Sequence, residues 1–226
     1  MNYELQIVST GDGSNTIYNS TVRENYHSKH GALQESRHVF LHSGLEYFLS
    51  LNNVSEVSIL EVGLGTGLNF LLSADHCTTH KVHLDYCGIE AYPLSNELIG
   101  STGYDQYISP AIWNGFVNQY SNSLAHKIRI NSCCQLQIAN CKLLEYNGDR
   151  QFNVIYFDAF ASAYQPEMWD ERAITHTLQF LKPGGVFVTY AITGNLKRIM
   201  KNLGLKVEKA PGAPGKREML RAVKPA

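Results

Sequence analysis

Nowhere in its 226 residues does this chain carry an apolar run approaching the ~18 residues that a membrane-spanning helix requires, so no spanning helix is expected. No basic-then-apolar leader opens it, and the reading is of a cytosolic protein. Cysteine is scarce and odd in number, at five, with Cys133 and Cys134 adjacent and no CxxC spacing; neither a disulfide framework nor a zinc knuckle is expected. His76, Cys77, His80 and His83 crowd one polar stretch between expected elements, and no metal site is assigned to them. Positive charge is short over residues 1–196, with ten Lys/Arg against eighteen Asp/Glu, whereas residues 197–226 hold nine against two. That basic end suits a polyanion or a solvated helix face.

The chain does have Ile59-Leu60-Glu61-Val62-Gly63-Leu64-Gly65-Thr66-Gly67-Leu68-Asn69-Phe70, an apolar run ending in an acid and then three glycines at alternate positions. This reads as a buried strand, a tight turn and a helix start, where an α/β sheet receives a nucleotide-like ligand. Glycine suits the turn because it accepts positive φ and lets backbone amides approach a ligand. A dinucleotide fingerprint wants its third glycine at position 68, which is Leu68, and no phosphate-binding Gly-Lys-Ser/Thr is present. A dehydrogenase and a P-loop enzyme are therefore disfavoured. The loop resembles the S-adenosylmethionine loop of class I methyltransferases, whose ligand carries an ammonium and a sulfonium that a carboxylate such as Glu61 suits. Glu61, Gly63, Gly65, Gly67 and Asn69 are its candidate cofactor contacts.

Strand and helix patterns then alternate. Strands are expected at 57–62, 82–89, 134–139, 152–157 and 185–191, with helices near 67–75, 93–103, 111–120, 170–180 and 193–202. Such alternation implies a parallel, doubly wound sheet. Two last strands, at 205–210 and 217–223, have no helix between them and should pair antiparallel at one edge of the sheet. Lys182-Pro183-Gly184-Gly185 is expected to separate helix from strand. Residues 1–50 form an N-terminal extension, with a helix from about Glu35 through Leu51, and residues 51–226 form the main domain.

Two acids sit at strand ends. Glu90 follows Tyr86-Cys87-Gly88-Ile89, a little over twenty residues beyond the glycine turn, and is placed to accept hydrogen bonds from ribose hydroxyls. Asp158 follows Ile155-Tyr156-Phe157 at the pocket rim, where a carboxylate can orient a nucleophile or take a proton. Asp170 is the better helix cap before Glu171, which leaves Asp158 free.

Five strings occur in order: Tyr26-His27-Ser28-Lys29-His30-Gly31-Ala32-Leu33-Gln34-Glu35-Ser36-Arg37-His38-Val39-Phe40, Gly63 to Phe70, Phe157-Asp158-Ala159-Phe160, Gln165-Pro166-Glu167-Met168-Trp169, and Pro214-Gly215-Lys216-Arg217-Glu218-Met219-Leu220. Together they resemble the MnmC-type methyltransferases, which methylate 5-(aminomethyl)-2-thiouridine in tRNA, in the free-standing form without the FAD-dependent oxidase half. The resemblance runs from about Tyr18 to Ala222. It implies a class I, Rossmann-like fold with a mostly parallel seven-stranded sheet and an antiparallel last strand. It further implies S-adenosylmethionine as donor, no FAD, no metal, and the anticodon arm of tRNA as partner.

The implied reaction moves a methyl group to the primary amine on the wobble uridine, with Asp158 both catalytic and in contact with the cofactor. Tyr26 and His27 would close the pocket, and Arg37 would support the loop holding the amine. Trp169 and Tyr190 would wall a flipped base, while Lys216 and Arg217 would meet phosphates. Where the family carries an acid for the adenine amino group, this chain reads Ala139-Asn140-Cys141-Lys142, which puts Asn140 in that place. A class I methyltransferase acting on another amine, and a catalytically silent α/β module that binds RNA or a partner, stay open on the residues alone.

Overall fold

The computed structural model describes residues 5–226; the first four residues of the expected 1–50 extension lie outside the described residues. The chain opens with a small antiparallel sheet of β1 (Leu5–Ser9), β2 (Asn15–Asn19) and β3 (Glu24–Asn25). A continuous N-terminal helix follows, made of α1 (Ala32–Glu35), a π-helical stretch (Ser36–Glu46) and α2 (Tyr47–Leu51). Then come β4 (Glu56–Val62), α3 (Leu68–Thr79), β5 (His83–Ile89), α4 (Asn96–Gly100), α5 (Pro110–Ser123), β6 (Ile128–Arg129) and β7 (Cys134–Ala139). The chain finishes with β8 (Phe152–Phe157), α6 (Glu171–Leu178), β9 (Leu181–Thr189), α7 (Gly194–Asn202), β10 (Lys206–Pro211) and β11 (Glu218–Val223).

The main sheet runs β10-β11-β9-β8-β4-β5-β7-β6. The pairs β4–β5, β4–β8, β5–β7 and β8–β9 are parallel, while β11 is antiparallel to both β9 and β10. The expected seven strands are present, and β6, antiparallel to β7, adds a two-residue eighth at the far edge. Chain order reverses between β4 and β8, so the crevice beyond their carboxyl ends is where an open α/β sheet accepts a ligand.

Side chains alternate along a strand, so β4 sends Val57 and Ile59 to one layer and Leu60 and Val62 to the other. β8 does the same with Val154 and Tyr156 against Ile155 and Phe157. The first layer holds the N-terminal helix, α3 and α5, the second α6 and α7. The N-terminal helix meets the sheet at Gly44, where a Cβ would come 2.8 Å from Tyr156 Cε1 and 3.0 Å from Val188 Cγ2.

Three local expectations are corrected. The β1–β3 sheet went unsignalled because its strands are short, at five, five and two residues. The helix expected over 93–103 shrinks to Asn96–Gly100: Ser95 caps it, with Oγ accepting from Leu98 N at 3.2 Å, and Gly103 at φ 75° turns the chain away. Lys182–Gly185 does not precede the strand but lies within β9, as a bulge between the pairs Phe152–Leu181 and Val154–Val186. Among the described residues no helix is long and apolar enough to cross a membrane, and no group of three or more His, Cys, Asp or Glu is placed to hold a metal ion.

Candidate active site

The glycine turn joins β4 to α3 with Gly63, Gly65 and Gly67 at φ of 85°, 53° and 78°. Side chains are excluded from it on several sides. A Cβ on Gly63 would lie 2.6 Å from the Asp158 carbonyl, and one on Gly65 would lie 2.8 Å from Tyr26 Cδ1. Glu90, at the carboxyl end of β5, holds the turn: its Oε2 accepts from Gly65 N and its Oε1 from Tyr92 N, each at 2.9 Å. Burial raises its carboxyl above the usual range. Asn140 sits on the rim and donates from Nδ2 to the Glu90 carbonyl at 3.2 Å. Gly63, Gly65, Glu90 and Asn140 line a cleft of about 1320 Å³ that reaches Asp158, Tyr26 and His27, whereas Gly67, expected as a cofactor contact, lies outside it against Phe116.

Behind the cleft wall lies a hydrogen-bonded chain of buried polar groups. Asn69 Nδ2 donates to Asp158 Oδ2 and to Glu61 Oε1, both at 2.8 Å, and Tyr86 Oη donates to Glu61 Oε2 at 2.7 Å. Glu61 shares strand parity with Val57 and Ile59, so its side chain points into the α3 layer, where it is fully buried. It does not reach the cleft, and neither does Asn69; the expected cofactor contacts at these positions become supports for Asp158. Burial, then the neighbouring Asp158, pushes the Glu61 carboxyl well above its usual range. Burial, reinforced by Glu35, pushes Asp158 up to about 8, against the pull of Asn69 and Lys216.

The N-terminal extension forms the opposite wall. The Tyr26 ring meets Phe160 edge-on at 5.1 Å. His27 lies between Thr16 Oγ1, 2.9 Å from Nδ1, and Thr66 Oγ1, 3.4 Å from Nε2, and so ties β2 to the glycine turn. Burial pushes its imidazole down to about 4, leaving it neutral near pH 7.

Four expected acceptor contacts are placed elsewhere. Trp169 is buried, donates from Nε1 to the Phe160 carbonyl at 2.8 Å and packs edge-on against Phe157; it is a strut and not a stacking wall. The Tyr190 hydroxyl donates to the Ala159 carbonyl at 2.8 Å, and Lys216 Nζ covers its ring at 3.9 Å. Lys216 is also paired with Glu35 at 2.7 Å, so its ammonium is already engaged by a carboxylate. Arg37 is exposed on the N-terminal helix and does not line the cleft. Of the basic end, Arg221 is held by Glu208 at 2.9 and 3.0 Å and lies over Tyr47, and Lys224 Nζ donates to the Leu181 carbonyl at 2.7 Å. Arg217 remains exposed.

Sequence reasoning missed Glu24 and Glu35. Glu35 stood inside a motif that had been singled out, but nothing local tells that its carboxylate meets a lysine far along the chain. Glu24 belongs to β3, which gave no strand signal.

The groups present fit S-adenosylmethionine. Glu90 retains lone pairs for ribose hydroxyls, the glycine floor admits a close backbone approach, Ile89, Leu94 and Leu143 offer apolar walls for a base, and carboxyls suit its positive charges. The reversed sheet order, the glycine turn and the two strand-end acids define a class I S-adenosylmethionine-dependent methyltransferase. A family model described as S-adenosyl-L-methionine-dependent methyltransferase matches residues 109–225. The chain belongs to that family.

Among curated relatives, the "tRNA 5-methylaminomethyl-2-thiouridine biosynthesis bifunctional protein MnmC" of Methylobacillus flagellatus is 30% identical over 220 residues, covering 90% of this chain and 33% of that protein. Its namesake from Pseudomonas fluorescens is 29% identical over 213 residues, covering 87% and 31%. The chain thus spans about one third of the length of the curated relatives it matches. The crystal structure of MNMC2 from Aquifex aeolicus superposes with a TM-score of 0.78 at 21% identity, over all of this chain and 73% of that one. Streptomyces venezuelae DesVI shares the fold at a TM-score of 0.50 and 14% identity, over 86% and 92%.

Proposed function

We propose that the chain methylates the 5-aminomethyl group on the wobble (2-thio)uridine of tRNA, giving 5-methylaminomethyl-2-thiouridine. The observation that carries this reading is Asp158, an acid at the cleft end of β8 beside the glycine turn, held by Asn69 and pushed up to about 8. When bound, S-adenosylmethionine supplies an electrophilic methyl group. Glu90 then holds the ribose and the Gly63–Gly65 backbone the amino-acid end.

An alkylammonium with a pKa near that of lysine, about 10.4, has no lone pair to offer at neutral pH. Asp158 would take one proton from the ammonium and accept a hydrogen bond from the neutral amine that results, aiming its lone pair at the donor methyl; as the N–C bond forms the donor's C–S bond breaks, and the product carries the positive charge as a secondary ammonium. A base whose own value lies nearer that of the amine takes the proton at a smaller free-energy cost than an ordinary aspartate would. Fixing amine and methyl in line supplies a further large share of the acceleration. Exposed Arg198, Lys201 and Arg217, with half-buried Lys197, provide the charge that draws the anticodon arm, with a binding affinity that falls steeply with salt.

Incubation with tritium-methyl S-adenosylmethionine and tRNA from cells lacking the modification tests the reading. Label is expected in 5-methylaminomethyl-2-thiouridine after nucleoside digestion. Label in another amine, or cofactor binding with no transfer to tRNA, would overturn the assignment of substrate.

A further inference from the structure

Two segments distant in sequence, the start of the N-terminal helix and the loop after β10, meet beside the Tyr190 ring. The loop after β10 presses Gly215 onto His30: at φ 90°, a Cβ on that glycine would lie 2.6 Å from the His30 ring. This delivers Lys216 inward, where its ammonium meets Glu35 Oε1 at 2.7 Å and the Tyr190 ring at 3.9 Å. Both supports are themselves fixed. Glu35 is nearly fully buried and its Oε2 accepts from Ser28 N at 2.8 Å, while the Tyr190 hydroxyl is bonded to the carbonyl of Ala159, the residue after Asp158. Glu24, from β3, enters the same region and accepts from Ala161 N at 3.3 Å.

Charge in this chamber is lopsided. The groups around Asp158 are Glu61 of β4 and Asn69 of α3 behind it, then Glu35 of the N-terminal helix, Tyr190 and Lys216, while Glu24 of β3 faces Lys216, Glu35 and Tyr190. Three carboxyls, those of Glu24, Glu35 and Asp158, share the Lys216 ammonium, with the Glu61 carboxyl behind them. Removing it would leave Asp158 among like charges in a desolvated site, where a carboxyl keeps its proton and cannot take another.

We propose that Lys216 is a positioning residue of the acceptor site: clamped between Glu35 and the Tyr190 ring, it supplies the counter-charge that keeps Asp158 able to ionise as the amine arrives. This rests on the reading of Asp158 as the proton acceptor, but the charge relation can be tested without turnover. The Asp158 carboxyl, assigned by its loss in Asp158→Asn, is titrated by carbon-13 NMR in the donor-free protein, in Lys216→Gln and in Lys216→Arg. The midpoint is expected to rise by about one pH unit or more in Lys216→Gln and to stay near the parent in Lys216→Arg. Glu35→Gln, which removes a like charge, is expected to lower it, and provides the test if Lys216→Gln fails to fold.

In steady-state assays Lys216→Gln should lose about tenfold in kcat at neutral pH, recover at alkaline pH and keep the parental KM for S-adenosylmethionine. An unmoved midpoint in a Lys216→Gln protein that melts normally, or a midpoint that rises in Glu35→Gln, overturns the proposal. Shifted midpoints in a protein inactive on the aminomethyl nucleoside would support the charge assignment and defeat only the substrate reading.

Discussion

Replacing Asp158 by Asn is expected to make the protein more stable and less active, with the gain in stability confined to one side of the pH scale. In the folded chain this carboxyl is raised from 3.8 to about 8, chiefly by burial. A raised folded value means that the folded state holds a proton the unfolded state releases, so stability falls as pH climbs between the two values. Below the lower value nothing is lost; above the upper one the whole cost is present. Without screening that cost would be about 6 kcal/mol, at about 1.4 kcal/mol for each unit. The cleft admits water, so a net gain of about 1–2 kcal/mol is expected, or about 2–8 °C in melting temperature for a chain of this size.

Thermal melts of parent and Asp158→Asn at about pH 3 and about pH 8.5 should nearly coincide at the first and separate at the second, with the variant higher. Equal separation at both, or a variant melting lower at the alkaline value, would refute the reasoning. Methyl transfer by the same variant should fall about a hundredfold or more, as loss of a general base requires.

Gly65→Ala places a Cβ 2.8 Å from Tyr26 Cδ1 at φ 53°, and calorimetry should show cofactor binding weakened about tenfold by a strain of about 1–2 kcal/mol. Glu90→Ala removes the acceptor of the Gly65 and Tyr92 amides together with the ribose contact; its cofactor Kd should rise about tenfold to a hundredfold, and an unchanged Kd would move the ribose elsewhere. The kcat of the parent should rise with pH along an acid limb centred near 8 as Asp158 ionises, and a rate flat between about pH 6 and 9 would contradict its role as base.

How much of the site could be read in advance varied with distance along the chain. Glu90 and Asp158 were legible because a carboxylate just after an apolar strand has one place to go in a doubly wound sheet. Glu61 carried a signal that could have placed it: its parity with Val57 and Ile59 marks it as facing the helix layer. The Lys216–Glu35 pair joins residues 181 apart and leaves no periodic trace. Trp169 and Tyr190 show the same limit, since an aromatic beside a strand end reads identically whether its ring is open to a ligand or bonded to a neighbouring carbonyl.

The order of strands and helices, the glycine turn and the two strand-end acids follow from the sequence alone, because periodicity and backbone freedom act over a few residues. Tertiary structure decided what those acids are chemically. Whether a carboxyl keeps its proton depends on the water and charge that remain around it. Around Asp158 those conditions are set by β3, the N-terminal helix and the loop after β10, which meet only when the chain is folded.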